Sequence, residues 1–253
     1  MATRKAILLF DVDGTLTMPR KQIESWMEEF LTRTRKRIPL AVVGGSDLCK
    51  VVEQLGGSLE EVSNSFDYVF TENGLVAFRH GKPIPSKDIR DQIPEETLQS
   101  FLNWVFGYMS RLTLPCKRGN FIEFRRGMIN VSPIGRSCSY DERLEFVKFD
   151  TENQVRQKFI TEMRSQFPEE KYGLYFSIGG QISIDVFPVG WDKRFCLQYL
   201  TADGYNEIHF FGDKVLKGGN DHEIYEDPGT IGHAVKDPAD TKKQIEQLLP
   251  TLL

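Results

Sequence analysis

The stretch AILLFDVDGTLT, residues 6–17, decides the interpretation of the fold, because five apolar residues run directly into two aspartates. A short, unbroken apolar run is typical of a buried strand in a parallel sheet. Asp11 and Asp13 stand two residues apart, so both side chains leave the same side of an extended chain. Gly14 allows a tight turn directly after them. Since ligands of open α/β sheets bind beyond the carboxyl ends of the strands, this pair predicts a functional site.

The sequence on either side predicts alternating strands and helices. After the first strand come a helix pattern at 23–31, a strand at 39–43, a helix at 47–55 and a strand at 66–70. The alternation resumes near Gly190 with a helix pattern at 191–200, strands within 207–214 and 230–235, and a C-terminal helix from Asp237. Such alternation predicts βαβ units and a parallel sheet.

The middle of the chain has a different pattern. Two hairpins are expected, around 79–82 and 179–180, with two adjacent strands around Arg126-Gly127 and long helices at about 95–112 and 140–167. Hairpins with long helices predict an antiparallel sheet with helices on one face. The expected fold class is therefore α/β, with a parallel-sheet core domain at 1–82 and 190–253 and an inserted domain at 83–189.

Composition excludes several classes of protein. The 253 residues are 40% hydrophobic and 27% charged, which is ordinary for a globular chain. A net charge of -4 without a long basic tract predicts no nucleic-acid or anionic-membrane partner. The apolar runs are far shorter than the ~20 residues that span a bilayer. Four cysteines without close metal-type spacing are interpreted as free thiols, which favours a reducing cytoplasm.

The paired aspartates indicate phosphoryl transfer. A carboxylate can attack phosphorus and form an aspartyl phosphate. Hard Mg²⁺ takes oxygen ligands from carboxylates and phosphate, and so would bring the two anions together. A second carboxylic group can protonate the leaving oxygen. The plainer interpretation is a strand that ends in a polar turn, and for an isolated Asp-Gly it would be preferred.

Three further groups are expected at strand ends if phosphoryl groups are transferred. The segment VVGGSD, 42–47, offers the Ser46 hydroxyl at the start of a helix, and GWDK, 190–193, offers the Lys193 cation. Acidic residues for a metal site follow the strand EIHFF, namely Asp213, Asp221 and Asp227. Each residue alone is more simply a solvated loop residue. Their order, with one group after each predicted strand, favours the phosphotransferase interpretation.

Four motifs resemble those of the haloacid dehalogenase superfamily: FDVDGTLT at 10–17, VVGGSD at 42–47, GWDK at 190–193, and FFGDK at 210–214 with GGND at 218–221. Two longer stretches resemble the eukaryotic α-phosphomannomutases, RGNFIEFRRGMINVSPIGRSCS at 118–139 and FSIGGQISIDVFPVGWDK at 176–193. The similarity runs from about Ala6 to the C-terminal helix. The superfamily motifs are common to many phosphotransferases, whereas the two longer stretches are specific to this family.

The resemblance implies a Rossmann-like core with an inserted α/β cap and a homodimer formed through the caps. It implies an Mg²⁺-dependent mutase that interconverts mannose 6-phosphate and mannose 1-phosphate, with secondary activity on glucose phosphates. The reaction would be primed by glucose or mannose 1,6-bisphosphate and would supply mannose 1-phosphate for GDP-mannose synthesis in the cytoplasm.

The resemblance also implies a role for individual residues. It implies Asp11 as nucleophile and Asp13 as general acid/base. Metal ligands would be Asp11, the Asp13 backbone and Asp213, with a neighbouring cation-binding loop at Tyr225, Asp227 and Thr230. Phosphate contacts would be Ser46 and Lys193. The distal end of the sugar phosphate would be bound by Arg20, Arg125, Arg136 and Arg143, and the sugar hydroxyls by Ser183 and Asp185.

The chain departs from the family pattern at three positions. Arg126 replaces the usual Asn, Asn120 a Thr and Ile184 a Phe. We hypothesise that Arg126, as a second cation beside Arg125, alters the affinity for the distal phosphate.

The motifs also fit a sugar-phosphate or hexose-bisphosphate phosphatase, or a non-catalytic metal- or phosphate-binding module. A kinase is disfavoured because no GxxxxGK[ST] is present. The preference for mannose or glucose stays open.

Overall fold

The structure, a computed structural model, describes residues 5–85 and 87–252. Two compact units divide the chain, one formed by Met1–Ser86 with Gly190–Leu253 and the other by Lys87–Val189. The strands are β1 (Ala6–Phe10), β2 (Leu40–Val43), β3 (Tyr68–Thr71), β4 (Val76–Arg79), β5 (Lys82–Ile84), β6 (Ile122–Phe124), β7 (Ile129–Val131), β8 (Leu174–Gly179), β9 (Ser183–Pro188), β10 (Glu207–Gly212) and β11 (Ile231–Ala234).

The α-helices are α1 (Ser25–Arg35), α2 (Leu48–Leu55), α3 (Leu59–Ser65), α4 (Ile89–Gln92), α5 (Glu95–Ser110), α6 (Tyr140–Asn153), α7 (Val155–Gln166), α8 (Glu169–Tyr172), α9 (Leu197–Ala202), α10 (His222–Tyr225) and α11 (Pro238–Leu252). Short 3₁₀ turns occur at Glu72–Gly74 and Lys193–Cys196. None of the helices in the described part of the chain is long and apolar enough to cross a membrane.

A seven-stranded sheet organises the first unit, in the order β11-β10-β1-β2-β3-β4-β5. The first five strands in this order run parallel, as predicted, and β4 and β5 extend one edge in antiparallel pairing. The inserted domain was predicted to begin at residue 83. Pairing of β5 with β4 instead keeps this hairpin in the sheet of the first unit, and the division falls after Ser86.

Strand β1 lies at the centre of two hydrophobic layers, which explains its continuous apolar sequence. Leu8 and Phe10 face the layer that contains α1 and α11, while Ile7 and Leu9 face the layer that contains α9. All four side chains are fully buried. A parallel strand covered on both faces favours such an unbroken apolar run.

The parallel register brings the carboxyl ends of β1, β2 and β10 to the same edge of the sheet. Phe10 pairs with Phe211 on one side and with Val42 on the other. The Asp11 N–H donates to the Phe211 carbonyl oxygen at 2.9 Å, which extends the pairing by one residue. The segments that follow these three strands therefore begin next to one another.

A four-stranded antiparallel sheet, in the order β6-β7-β9-β8, organises the second unit. The single helix expected at 140–167 is instead two helices, α6 and α7, and that prediction is wrong. The chain breaks at Gln154, which adopts a left-handed conformation with φ of 52°. The Asp150 carboxylate accepts hydrogen bonds from the Arg156 N–H and side chain, at 2.9 and 2.7 Å, and stabilises the break.

Candidate active site

Three carboxylates and one lysine meet at the edge of the sheet where β1 and β10 end. Asp11 follows β1, Asp213 follows β10, and Asp221 lies just before α10. Ligand oxygens of these three residues, here called the acidic cluster, lie within 4.8 Å of one another. The Lys193 ammonium contacts Asp11 and donates to Asp221 Oδ1 at 2.5 Å. Lys193, Asp11 and Asp221 are all at least 96% buried, so these ionic contacts are shielded from water.

The acidic cluster fits a hard divalent cation. Three carboxylates offer the oxygen ligands that Mg²⁺ prefers. Asp213 Oδ1 is buried and has no hydrogen-bond partner among the described residues, which leaves a ligand atom available. Gly14 adopts φ of 87°, and a Cβ at this position would collide with the Asp213 carboxylate. The glycine of the DVDG sequence therefore allows Asp213 to approach the β1 loop.

Burial raises the pKa of Asp11 to about 7, and the nearby charge of Asp221 adds to this effect. Lys193 acts in the opposite direction. Burial likewise disfavours a charged Lys193, but Asp11 and Asp221 outweigh it and raise the pKa of the ammonium above its usual value. The lysine thus remains a cation. A bound dication would lower the pKa of the Asp11 carboxyl and keep it ionised.

Asp13 lies apart from this ionic group and has its own partners. Its Oδ1 accepts hydrogen bonds from the Arg20 backbone N–H at 2.7 Å and from Gln54 Nε2 at 2.9 Å. Burial acts to raise the pKa of Asp13, but these two hydrogen bonds and nearby lysines hold it below the ordinary value. Asp11 and Asp13, two residues apart, therefore have opposite pKa shifts. Pairs of titratable groups shifted apart in this way are typical of acid–base sites.

Ser46 is held at the carboxyl end of β2 by its own loop. Its Oγ accepts from Lys50 Nζ at 3.1 Å, and its carbonyl oxygen accepts from the Glu72 N–H at 2.9 Å. The Asp47 side chain caps α2 by accepting from the Lys50 N–H. The hydroxyl therefore lies beside a cation at the N-terminus of a helix, which is a favourable place for phosphate oxygens.

Asp227 and Thr230 of the predicted cation-binding loop lie in one turn after α10. Thr230 Oγ1 donates to the carbonyl oxygens of Ile224 and Asp227, at 2.5 and 3.1 Å, and Asp227 Oδ1 accepts from the Gly229 N–H. Tyr225 is the last residue of α10. Asp227 is not part of the acidic cluster, whose third member is Asp221.

Several predicted sugar-phosphate residues come together in the second unit. Glu123 Oε2 accepts from Arg125 at 2.7 Å and from Arg136 Nε at 2.9 Å. Asn130 Oδ1 accepts from Arg136 at 2.8 Å, and Asn130 Nδ2 donates to Asp185 at 2.5 Å. Burial raises the pKa of Asp185, although Asn130 and the nearby arginines oppose the shift.

Other residues predicted to contact the sugar phosphate lie elsewhere in the second unit. Ser183 is buried at the start of β9, where its carbonyl oxygen accepts from Arg156. Arg143 lies in the first turn of α6. Arg126 is exposed, and its charge adds to the hydrogen bond from Arg90 in lowering the pKa of Asp88.

Four polar residues of these sites had no assigned role in the family resemblance. Asp221 was considered only as one of several acidic loop residues. Gln54 could have been noticed because it lies on the apolar face of α2, three residues after Val51. Glu123 lies two residues before Arg125, so both side chains are expected on the same face of the strand. Asn130 lies opposite Glu123 in the sheet, but the register that pairs these two residues comes only from the structure.

Comparison with known proteins identifies one family. The profile of the family Eukaryotic phosphomannomutase matches residues 27–251. A probable phosphomannomutase of Caenorhabditis elegans is 54% identical over 252 residues, covering 99% of this chain and 98% of the relative. Phosphomannomutase 1 of Homo sapiens is 49% identical over 244 residues, covering 96% and 92%.

Solved structures show the same fold at much lower identity. An IMP-bound, N-terminally truncated IMP-nucleotidase of Plasmodium falciparum superposes with a TM-score of 0.65 at 16% identity. The match covers 98% of this chain and 68% of that one. At this identity the similarity supports the predicted architecture but not a substrate.

Proposed function

Because the chain belongs to the eukaryotic phosphomannomutase family, we propose that it interconverts D-mannose 6-phosphate and α-D-mannose 1-phosphate through a hexose 1,6-bisphosphate. The observation that carries the mechanism is the contact of Lys193 with both Asp11 and Asp221, next to a separately held Asp13. This arrangement contains a nucleophile, a fixed cation and an acid–base group. All three are required for phosphoryl transfer through a carboxylate.

Asp11 is the proposed nucleophile. A carboxylate oxygen of Asp11 forms a bond to phosphorus while the bond from phosphorus to the sugar oxygen breaks. Lys193 orients this carboxylate through Oδ1 and offsets the negative charge of the incoming phosphoryl group. Mg²⁺ held by Asp11, Asp213 and Asp221 would supply further charge neutralisation at the phosphoryl oxygens.

Asp13 is the proposed general acid and base. In its protonated form it donates a proton to the sugar oxygen that leaves, and in the reverse step it removes the proton from the attacking hydroxyl. The hydrogen bond from Gln54 and that from the Arg20 N–H fix the Asp13 side chain in one orientation. Ser46 and the N-terminus of α2 are proposed to hold the phosphoryl oxygens.

The phosphate that does not react is proposed to bind Arg125 and Arg136, with Arg143 and Arg20 as additional cations. Arginine guanidinium groups bind phosphate through two parallel hydrogen bonds, which fixes direction as well as charge. Asp185 and Ser183 are proposed to contact the sugar hydroxyls. Phosphates of glucose are expected as secondary substrates.

Other parts of the proposal concern the surroundings of the reaction. Glucose or mannose 1,6-bisphosphate is the expected activator, because it phosphorylates Asp11 and releases a hexose monophosphate. Exposed apolar side chains of the second unit, Phe106, Tyr140 and Leu144, support a homodimer formed through this unit. Four free thiols suit a reducing cytoplasm, where the product would supply GDP-mannose synthesis.

The test separates the mutase from a sugar-phosphate phosphatase, which would use the same carboxylates. The purified protein is incubated with mannose 1-phosphate, Mg²⁺ and a trace of glucose 1,6-bisphosphate, and hexose 6-phosphate and inorganic phosphate are measured together. We expect hexose 6-phosphate to form well ahead of inorganic phosphate and only with the bisphosphate present. Inorganic phosphate as the sole product would show that Asp11 passes its phosphoryl group to water, and would overturn the proposal.

A further inference from the structure

A row of polar side chains crosses the antiparallel sheet of the second unit. Glu123 of β6 pairs with Asn130 of β7, and Asn130 pairs with Asp185 of β9. Residues directly opposite each other in neighbouring strands project from the same face of the sheet. Arg125 and Arg136 contact this row from its Glu123 end. The row thus places one carboxylate against the two arginines that are proposed to bind phosphate.

Glu123 occupies donors that a phosphate would need. Its Oε2 accepts at 2.7 Å from Arg125 and at 2.9 Å from Arg136 Nε, so one atom bridges both guanidinium groups. A phosphate that binds an arginine through two hydrogen bonds requires two N–H groups of the same guanidinium. The carboxylate of Glu123 and the phosphate therefore compete for the same hydrogen-bond donors.

The charge of the group supports the same conclusion. Arg125 and Arg136 together carry two positive charges, and Glu123 and Asp185 carry two negative charges. A phosphate monoester adds up to two further negative charges, and these would lie at hydrogen-bonding distance from the Glu123 carboxylate. Like charges at such distances repel. The group of two arginines and two carboxylates has no net charge, so it must lose Glu123 to gain net attraction for the phosphate.

Glu123 is free to leave, whereas Arg136 has a second support. The Glu123 side chain is 45% exposed on β6, an edge strand of the sheet. Its rotation into water requires no repacking of the core. Arg136 retains its hydrogen bond to Asn130, which is 3% exposed and is itself fixed by Asp185. Arg136 would therefore keep its orientation after Glu123 has moved.

We infer that Glu123 is an exchangeable counter-anion of Arg125 and Arg136. The substrate phosphate displaces the Glu123 carboxylate, and this competition weakens substrate binding. The inference rests on the proposed function, in which a sugar phosphate binds these arginines. A mutase must let its bisphosphate intermediate turn round, so that each phosphate in turn meets Asp11. A carboxylate that competes for the arginines shortens the time for which either phosphate stays bound.

The test compares Glu123→Gln with Glu152→Gln. The first substitution removes the competing charge at nearly constant shape. The second removes the same charge from an exposed position on α6 of the same unit, away from the polar row. Titration calorimetry with mannose 1-phosphate gives the Kd, and steady-state turnover gives the KM and kcat. We expect Glu123→Gln to lower both the Kd and the KM about two- to fivefold, as for one partly exposed charge pair. Glu152→Gln should change neither.

Inorganic phosphate provides a second probe. Its inhibition constant should fall in Glu123→Gln by a factor similar to the fall in KM, and the difference from the wild type should shrink at high ionic strength. A higher Kd in Glu123→Gln would show that Glu123 orients the arginines for bound phosphate, and would overturn the inference. An unchanged Kd would also overturn it.

Failure of this inference and failure of the proposed function give different results. Tighter binding of mannose 1-phosphate to Glu123→Gln, without mutase turnover in either protein, would support the counter-anion and refute the mutase. Normal mutase turnover with identical Kd values would refute the counter-anion alone. Thermal unfolding of both variants at the wild-type temperature is expected, since both positions are exposed.

Discussion

Replacing Lys193 by methionine should destabilise the first unit in a way that depends on pH and on metal. The side chain is 2% exposed and is the cation that contacts both Asp11 and Asp221, which are also buried. Methionine fills a similar volume but leaves two buried carboxylates without a counter-charge. Breaking a buried ionic group by removing one partner typically costs about 3–5 kcal/mol.

The sign of the pH dependence follows from Asp11. Its pKa is already raised to about 7 by burial and by Asp221, against the effect of Lys193. Without Lys193 the folded-state pKa rises further above the unfolded value of about 3.9. A folded state that holds a proton more tightly than the unfolded state loses stability as the pH rises. The destabilisation should therefore be larger at about pH 8 than at about pH 5.5.

The measurement is thermal unfolding followed by circular dichroism, with EDTA present. A loss of about 3 kcal/mol corresponds to a fall in Tm of about 10 °C for a unit of this size. Lys243→Met, at an exposed position of α11, is the matched control and should leave the Tm nearly unchanged. Adding Mg²⁺ should recover part of the loss, because a dication can replace the missing charge.

A double substitution tests the assignment to the ionic group. Asp221→Asn in the Lys193→Met background removes one of the two uncompensated carboxylates, so part of the lost Tm should return, which shows energetic coupling between the two positions. The reasoning would be refuted if Lys193→Met unfolded at the wild-type temperature at about pH 8, or if Asp221→Asn lowered the Tm additively.

Three further predictions concern the catalytic groups and a half-buried histidine. Asp11→Asn should abolish both mutase and phosphatase turnover, because an amide cannot form the aspartyl phosphate, and steady turnover by this variant in the coupled assay would contradict the nucleophile assignment. Gln54→Leu should lower kcat about tenfold with little change in KM, because Asp13 loses one of the two donors that orient it. A change in KM without a change in kcat would argue against this role. Burial, together with the nearby His209, lowers the pKa of His233 to about 4. The neutral ring therefore contributes stability above about pH 6.5, and this stability is lost as the pH falls towards 4. His233→Gln should therefore lose less stability than the wild type over this pH range. Because the ring is half-buried, we expect the difference, measured by urea titration, to be on the order of 1 kcal/mol. Parallel pH profiles of the two proteins would refute the assignment.

The first unit carries local sequence signals that one feature of the second unit lacks. Lys193 and Asp213 each belong to a motif whose position after a strand or at a turn could be interpreted locally. In the second unit, the break at Gln154 carries no comparable signal. A left-handed glutamine is unusual, and the hydrogen bonds from Arg156 to Asp150 that stabilise it become visible only when the chain has folded.

Local sequence determined that β1 is a buried strand and that Asp11 and Asp13 follow its end, since periodicity and spacing act within one segment. It also determined the alternation of strands and helices that produces the parallel sheet of the first unit. Only the tertiary structure decided that Asp221 contacts Lys193, and that Glu123 bridges two arginines of the second unit. The choice of partner for a charged side chain depends on strand register and burial, which are properties of the packed chain and not of any short segment.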